Sequence, residues 1–432
     1  MRAPSRRTTR DPKRAASRGG VYGWLRSDRF IVIAAIATVV YAVIAARHAN
    51  LLKPSHFAYF NYLAHAFLGG HLHLVELPPS THDLSFFGGK YYLYWPPFPA
   101  VTLMPFVAVW GTRFSDVLFT IALGGLGIAV VGLLLREASS AGLITVSVER
   151  RNLLVATLAL GCPYLTLAAY GRVWYTAQLV GFLCVAIAFL AAVRLRGWTA
   201  FVVAGTAIAC AALTRNHLIF TGLWPAAILL HRRLQPVEEQ RAAPASRRRL
   251  LLQAAAGAAP LLVAIALLTI YNAARFGSPF ETGIPFHRMD PGFRAEYERY
   301  GAFSLHFLPT NFHYQFLAYP FPLRPESLMG GSLFLLTPVF LAAFWGLWTA
   351  RPRWSAGILV TSIVLTAIPI LLLMGTGWTQ FGPRYTVDFA VPLLLLTAAG
   401  LERWPVWLVG SLTVISIVHY LAGALYLGTL IV

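Results

Sequence analysis

Long apolar runs recur from residue 30 almost to the end of the chain, and they restrict the possible folds more than any other feature. A helix needs about 20 apolar residues to cross the hydrocarbon core of a bilayer, and only helices or closed barrels satisfy their backbone groups in lipid. The runs are continuous rather than alternating, which favours helices. Only 12% of the residues are charged, against about 25% in soluble domains. The sequence therefore predicts an all-α, polytopic transmembrane helical bundle.

We predict eleven spans and two shorter helices in the first outer loop. The predicted spans are 30–46, 116–135, 152–169, 176–193, 199–213, 217–230, 250–271, 331–349, 355–374, 387–401 and 405–427. Of the shorter helices, one starts at Pro54-Ser55 and stops at Gly69-Gly70. The other, 98–110, reaches only about 20 Å and is too short to cross. Both are expected to lie along the membrane interface.

The distribution of charge orients these spans. The net charge is +19, and the segments predicted to be inside hold 23 Lys/Arg against 7 Asp/Glu, whereas all other residues hold 12 against 9. By the positive-inside rule the N-terminus is cytoplasmic and the C-terminus extracytoplasmic. We therefore expect a multi-pass protein of a bacterial plasma membrane, with the bilayer as a partner and no nucleic acid. Residues 1–29 are predicted to be a disordered basic cytoplasmic tail, and 30–432 the transmembrane domain.

Two large outer segments, 47–111 and 272–330, contain most of the candidate chemistry. The first holds six of the 12 histidines and the acids Glu76 and Asp83. Asp83 lies among aromatic residues in STHDLSFFGGKYYLYWPPFPA, and a partly desolvated carboxylate there can act as a general base. Glu76 is a weaker candidate. The residue pattern alone favours the alternative, in which Asp83 caps a turn or pairs with Lys90.

Several cations lie near the predicted outer ends of helices, where Arg suits a phosphate group but also snorkels to lipid headgroups. Arg215 stands out because it lies between two short runs, where an ionisable side chain below the surface is a functional candidate. Arg384 and Asp388 are four residues apart, which fits an internal ion pair or a phosphate site. The candidate substrate-binding residues are Lys90, Tyr91, Tyr92, Trp95, Arg172, Arg215, Arg275, Arg384 and Tyr385.

Other chemistries lack their sequence signals. The three cysteines lie in apolar runs and read as small buried side chains. His71 and His73 have no third ligand at a fixed spacing, so no metal site is predicted. Nucleotide-binding, zinc-protease and serine-hydrolase motifs are absent from the sequence, and no cofactor is expected.

Four segments, taken in order, resemble the GT-C superfamily of polytopic membrane glycosyltransferases, especially the protein O-mannosyltransferase and aminoarabinose transferase group. These segments are YFNYLAHAFLGGHLHL, HDLSFFGGKYYLYWPPFPA, NAARFGSPFETG at 272–283 and FGPRYTVDFAVPLLLL at 381–396. The resemblance covers most of residues 30–400. It implies a polyprenyl-phosphate sugar donor, a glycan, lipid or protein acceptor outside the cytoplasm, and an acid in the first loop acting as base.

One departure from the family pattern affects the choice of base. Family members commonly begin the first juxtamembrane helix with an acid, where this chain has Ser55-His56-Phe57. The base role then passes to Asp83, or more weakly to Glu76 or His56, in a transfer that inverts the sugar. The alternatives are a non-catalytic lipid or glycan transporter, or a scaffold subunit of an envelope-assembly complex, with the same fold.

Overall fold

The structure is a computed structural model that describes residues 27–48, 50–234, 247–377 and 379–430. The predicted tail, 1–29, lies outside the described residues except for its last three. The helices are α1 Phe30–His48, α2 Tyr59–Leu68, α3 Phe98–Trp110, α4 Asp116–Ser140, α5 Val148–Leu160, α6 Tyr164–Ala169, α7 Val173–Arg194, α8 Gly197–Ala212, α9 Leu223–Leu234, α10 Arg247–Phe276, α11 Pro291–Tyr300, α12 Leu308–Phe312, α13 Leu333–Leu336, α14 Ala342–Thr349, α15 Arg353–Leu372, α16 Ala390–Leu401 and α17 Val406–Leu430. The chain is therefore helical, as its composition predicts.

Within the described residues, seven helical segments are long and apolar enough to cross a membrane. The predicted runs 152–169, 199–213, 217–230 and 331–349 are instead shorter or interrupted helices. In the first of them, Pro163 separates α5 from α6, because proline lacks the N–H that a continuous helix needs. A 3₁₀ helix, Asn216–Gly222, precedes α9. The count of eleven spans thus stays a prediction.

Contacts between loops sort the helix ends into two groups, which agree with the predicted alternation. At one end, the Arg351 amide donates to the Leu143 carbonyl, and Arg150 pairs with Glu402 at 3.2 Å. At the other end, Ser55 hydrogen-bonds to Asp116 at the start of α4. The first end carries the arginine-rich connections, so it is the one predicted to be cytoplasmic.

The interior of the bundle is formed by α7 and α16, whereas α10 lies at the edge. In the spanning windows 83% of the α7 residues and all of those in Arg384–Leu401 are buried, against 11% for α10. A helix that is apolar on every side must be covered by protein or by lipid. The exposed apolar surface of α10 therefore fits contact with lipid.

The first outer loop caps one end of this bundle. In it, α2 runs from Tyr59 to Leu68 and α3 from Phe98 to Trp110, so the predicted second helix has the expected bounds while the first begins four residues later. Between them, strands β1 Ser85–Phe87 and β2 Lys90–Tyr92 pair antiparallel with Phe86 opposite Tyr91. The turn uses Gly88 and Gly89, both at positive φ, as a two-residue hairpin requires.

Aromatic and aliphatic side chains fix α2 and α3 over the outer ends of α4 and α7. Their shared core includes Tyr59, Phe60, Leu63, Leu93, Leu103, Phe119 and Val173. Because Leu93 belongs to this core, the segment that follows the hairpin, 93–97, lies against the bundle. The first outer loop therefore covers the outer ends of α4 and α7, and we call it the lid.

Candidate functional site

A buried ion pair lies beneath this lid. Arg215 Nη2 is 3.0 Å from Asp388 Oδ2, and both side chains are at least nine-tenths buried. The same Oδ2 is 2.8 Å from His217 Nε2. Gln178 of α7 donates to Asp388 Oδ1 at 3.3 Å. Together these contacts fix the Asp388 carboxylate, which in turn holds the facing guanidinium in place.

Arg384 does not pair with Asp388, although the two are four residues apart. Residues Arg384–Phe389 form a 3₁₀ helix that follows Pro383, and the tighter winding moves the fourth residue off the face of the first. Arg384 instead donates from Nε to the Gly377 carbonyl, from Nη1 to Gln178 and from Nη2 to the Tyr385 hydroxyl. All three of its nitrogens therefore have protein partners.

Arg215, in contrast, has hydrogen-bond donors without a protein partner. Its Nε and Nη1 atoms are buried without a hydrogen-bond partner, as is the indole Nε1 of Trp95. The guanidinium lies 5.9 Å from the Trp95 ring and 5.3 Å from the Tyr385 ring. Buried polar groups are normally hydrogen-bonded, so each exception calls for an explanation. A bound anion beside Arg215 is one arrangement that satisfies these donors.

Asp83 lies above this cluster at the edge of the hairpin. Its backbone is in the left-handed region, with φ of 62°, and its side chain is 16% exposed. Two histidines approach the same carboxylate oxygen, Oδ1: His287 Nε2 at 3.1 Å and His82 Nε2 at 3.3 Å. The carboxylate is thus held near the protein rather than extended into bulk water.

Tyr94 links Asp83 with the arginines. Its ring stacks on Trp95 at 4.7 Å and lies 4.6 Å from the His287 ring. Burial raises the pKa of Tyr94 well above its ordinary value, and nearby Asp83 raises it further, whereas the charges of Arg384 and Arg215 oppose the rise. The phenol of Tyr94 therefore lies within electrostatic range of the carboxylate and of both guanidiniums.

The remaining predicted loop residues lie on the hairpin or face away from this cluster. Lys90 is exposed. Tyr91 accepts a hydrogen bond from Arg288, and Tyr92 packs on Phe276. Arg275 donates to the Leu93 carbonyl and to Asn272, which anchors the lid segment. These four side chains frame the site rather than enter the Arg215 cluster.

Three other candidates lie farther off. His56 is exposed, and Glu76, also exposed, is 3.8 Å from His65. Arg172 is buried against the Phe57 ring, near Asp116 and Tyr175. Neither Glu76 nor His56 therefore joins Asp83 and the arginines.

An acid does lie beside the start of the first loop, but it comes from another helix. Asp116 is buried and accepts hydrogen bonds from the Ser55 amide at 2.7 Å and the Ser55 hydroxyl at 2.6 Å. The residue pattern at Ser55-His56-Phe57 gave no sign of this partner. With both oxygens bonded to Ser55, Asp116 anchors the loop to α4.

Sequence reasoning also passed over His217, Gln178, Tyr94 and His287. His217 follows Arg215 by two residues in LTRNH, and Tyr94 precedes Trp95, so proximity to chosen residues was the available signal for these two. Gln178 and His287 come from distant parts of the chain, and only the fold brings them to the site.

An apolar groove lies at the side of the bundle, between α8 and α10. Helices α8 and α10 cross closely at Gly205, where an added Cβ would lie 1.9 Å from the Gly257 carbonyl oxygen. Beyond that crossing a groove of about 540 Å³ lies between the two helices. Its lining includes Thr206, Ala209, Cys210, Leu213, Ala259 and Leu267. One lining residue, Leu213, is two residues before Arg215 in the sequence, whereas Arg215 itself does not line the groove.

No family model and no curated protein matches the sequence. Among solved structures, the chain is similar to ArnT from Cupriavidus metallidurans bound to undecaprenyl phosphate, at 18% identity and a TM-score of 0.46, over 89% of this chain and 61% of that one. It is also similar to the apo oligosaccharyltransferase of Archaeoglobus fulgidus, at 14% identity and a TM-score of 0.49, over 95% and 56%. The chain spans less than two thirds of the length of either structure. Because both identities are below 25% and both TM-scores are below 0.5, the similarity concerns the course of the chain and not its chemistry.

Proposed function

We propose that the protein is an integral membrane glycosyltransferase that moves a sugar from a polyprenyl-phosphate donor to an acceptor outside the cytoplasm, with inversion. The observation that carries the proposal is Arg215. It is buried, it is held by Asp388, and two of its nitrogens have no hydrogen-bond partner. An apolar groove includes Leu213, two residues before it in the sequence. A lipid phosphate has the charge and the tail that such a place accommodates.

In this proposal Arg215 receives the donor phosphate, and Trp95 supplies its indole N–H to a phosphate or sugar oxygen. A guanidinium binds phosphate through parallel charge-assisted hydrogen bonds. Asp388 keeps Arg215 aligned before substrate arrives, so little reorganisation accompanies the reaction. Arg384, each of whose nitrogens already has a protein partner, instead holds the Tyr385 hydroxyl and the Gln178 side chain in place.

The groove between α8 and α10 takes the first part of the polyprenyl tail. Val263 and Leu267, which line it, are more than half exposed, so a tail can enter sideways from the surrounding lipid. Burying apolar surface contributes about 25 cal/mol per Å². The headgroup is then delivered to Arg215 without leaving the membrane.

Asp83 acts as the general base. The acceptor hydroxyl oxygen forms a bond to the anomeric carbon, the bond from that carbon to the phosphate oxygen breaks, and Asp83 takes the hydroxyl proton. The products are the glycosylated acceptor and the polyprenyl phosphate. Because a phosphate already leaves as a stable anion, its departure requires no acid from the protein. Attack from the face opposite the leaving group inverts the anomeric centre.

The test is a transfer assay with purified protein in vesicles. Undecaprenyl phosphates carrying radiolabelled mannose, glucose, arabinose or aminoarabinose are offered with an envelope fraction as acceptor, and label leaving the lipid phase is counted. Asp83→Asn should reduce transfer by about 10²-fold or more. Glu76→Gln, an exposed acid in the same loop, is the matched control and should behave as the parent.

Two results would count against the proposal. Equal transfer by Asp83→Asn and the parent removes Asp83 from the base role. Movement of the lipid across the vesicle wall without loss of its sugar, unchanged in Asp83→Asn, favours a transporter instead.

A further inference from the structure

Two histidines contact the carboxylate of Asp83. Their nearest approaches are both to Oδ1, at 3.1 Å for His287 Nε2 and 3.3 Å for His82 Nε2. The side chain remains 16% exposed. An acceptor hydroxyl can therefore still reach the carboxylate.

The two histidines differ in their surroundings. The His287 side chain is 8% exposed and that of His82 is 41% exposed. His287 also packs its ring on Tyr94. A buried donor interacts more strongly with a carboxylate than an exposed donor that competes with water. His287 is thus the better-placed partner of Asp83.

Backbone pairing holds His287 in this position. His287 bridges to Ser85 in antiparallel fashion, the Arg288 amide donates to the Leu84 carbonyl at 2.9 Å, and the Asp83 amide donates to the Arg288 carbonyl at 3.3 Å. Ser85 Oγ donates to the Gly283 carbonyl. These hydrogen bonds join the second outer segment, 272–330, to the first outer loop at Asp83.

We propose that His287 is a positioning residue for Asp83, an inference that rests on the proposed function. The imidazole Nε2, 3.1 Å from Oδ1, fixes the orientation of the carboxylate that faces the acceptor. The acceptor proton moves to the Asp83 carboxylate, and the imidazole takes no direct part in that transfer. The ring is within ion-pair distance but not in ideal hydrogen-bond alignment, and such contacts commonly tighten in the complex with substrate.

The kinetic test compares three variants in the transfer assay. His287→Ala should lower kcat by about 10- to 100-fold, the effect of losing one hydrogen bond to a charged group, while KM for the donor stays within about 3-fold because the phosphate site is intact. His287→Gln keeps an N–H donor and should recover most of kcat. His82→Ala, which removes the exposed contact to the same oxygen, is the matched control and should stay close to the parent.

A second measurement is independent of transfer. Carbodiimide with an amine nucleophile modifies protonated carboxyl groups, and the rate at Asp83 is read by mass spectrometry at a fixed, mildly acidic pH. Losing the His287 contact should leave the Asp83 carboxyl group more accessible, so labelling of Asp83 should become several-fold faster in His287→Ala. It should change little in His287→Gln and His82→Ala, and labelling of Glu76 serves as the internal reference.

The outcomes separate the two proposals. If the parent transfers no sugar but His287→Ala accelerates labelling of Asp83, the proposed function fails while the control of Asp83 by His287 stands. If labelling is unchanged, or if His287→Ala transfers as fast as the parent, His287 does not position Asp83. A loss of kcat that His287→Gln does not recover, in a protein of lower thermal stability, assigns His287 a structural role only and overturns the inference.

Discussion

Arg215 and Arg384 are both buried, yet their nitrogens are used differently. Arg384 has three protein partners, whereas Arg215 has Asp388 on one side and two unpaired nitrogens on the other. Burial alone therefore does not mark a ligand-binding arginine. The informative quantity is the number of donors that the protein leaves unsatisfied.

This difference predicts opposite effects for one conservative change. Arg215→Lys keeps the charge beside Asp388 but loses the planar pair of donors, so undecaprenyl phosphate should bind about 10-fold more weakly or worse, with little loss of thermal stability. Arg384→Lys should lower the unfolding temperature because it removes three protein contacts. Binding is measured by native mass spectrometry and stability by thermal unfolding. Equal binding by Arg215→Lys and the parent would contradict the phosphate assignment.

The Arg215–Asp388 pair makes a second prediction, about stability. Removing one partner leaves a buried charge uncompensated, which costs about 3–5 kcal/mol, so Asp388→Leu should strongly lower the unfolding temperature. The double variant Arg215→Met/Asp388→Leu should be less destabilised than the two single variants together. Additive losses in thermal unfolding would mean that the two side chains are not coupled.

Among the elements, α10 is unusual because it is long, apolar and little buried. Its partner α8 meets it at Gly205 and Gly257, where small residues allow two helices to approach closely. Away from the crossing the helices separate and leave the groove. The sequence marks both helices as apolar, but the groove depends on where along their length they cross.

Filling the groove should affect long lipids selectively. Ala259 lines it and Ala258, the adjacent exposed residue, does not. Ala259→Trp should weaken binding of undecaprenyl phosphate several-fold while leaving a short-chain prenyl phosphate unaffected, because only the long tail occupies the groove. Ala258→Trp is the matched control. Equal losses for both lipids, or for both variants, would argue against a tail in this groove.

At the scale of the whole molecule, the bundle has an arginine-rich end and an end covered by the loops. Asn152 of α5 donates to the Ser27 carbonyl beside the start of α1, and the Val173 amide at the start of α7 donates to the Phe57 carbonyl in the first outer loop. The interrupted pair α5 and α6 therefore carries the chain from one end to the other. This path follows the predicted alternation, although neither helix alone is long enough to span.

The path can be tested by labelling. In a variant with Cys162, Cys184 and Cys210 replaced by Ala, the added substitution Lys90→Cys should give a thiol that reacts with a membrane-impermeant maleimide in intact spheroplasts. The thiol of Arg403→Cys should react only after permeabilisation. Arg196 is the deciding position: it is inside if α5 and α6 together cross the membrane, and outside if only the seven long segments do. If the thiol of Arg196→Cys reacts in intact spheroplasts, the predicted alternation of inside and outside segments is wrong.

Part of the candidate site was accessible from residue patterns. Asp83, Trp95, Arg215, Arg384 and Tyr385 were selected because charged or aromatic side chains are conspicuous in an apolar chain, and the fold places all five around Tyr94 and the Arg215 cluster. Lys90, Tyr91, Tyr92 and Arg275 met the same criterion but lie on the hairpin or anchor it. Residue type and loop membership do not say which way a side chain points.

The sequence by itself determined that this chain forms apolar helices long enough to cross a membrane, because apolar length acts locally. It did not reveal that four of the eleven predicted spans are shorter or interrupted helices. Tertiary structure decided which polar groups meet. His217 and Asp388 are 171 residues apart, and Ser55 and Asp116 are 61 apart. Such pairs depend on where helices cross and how their ends are wound, as the 3₁₀ segment at Arg384–Phe389 shows, and no local pattern encodes that.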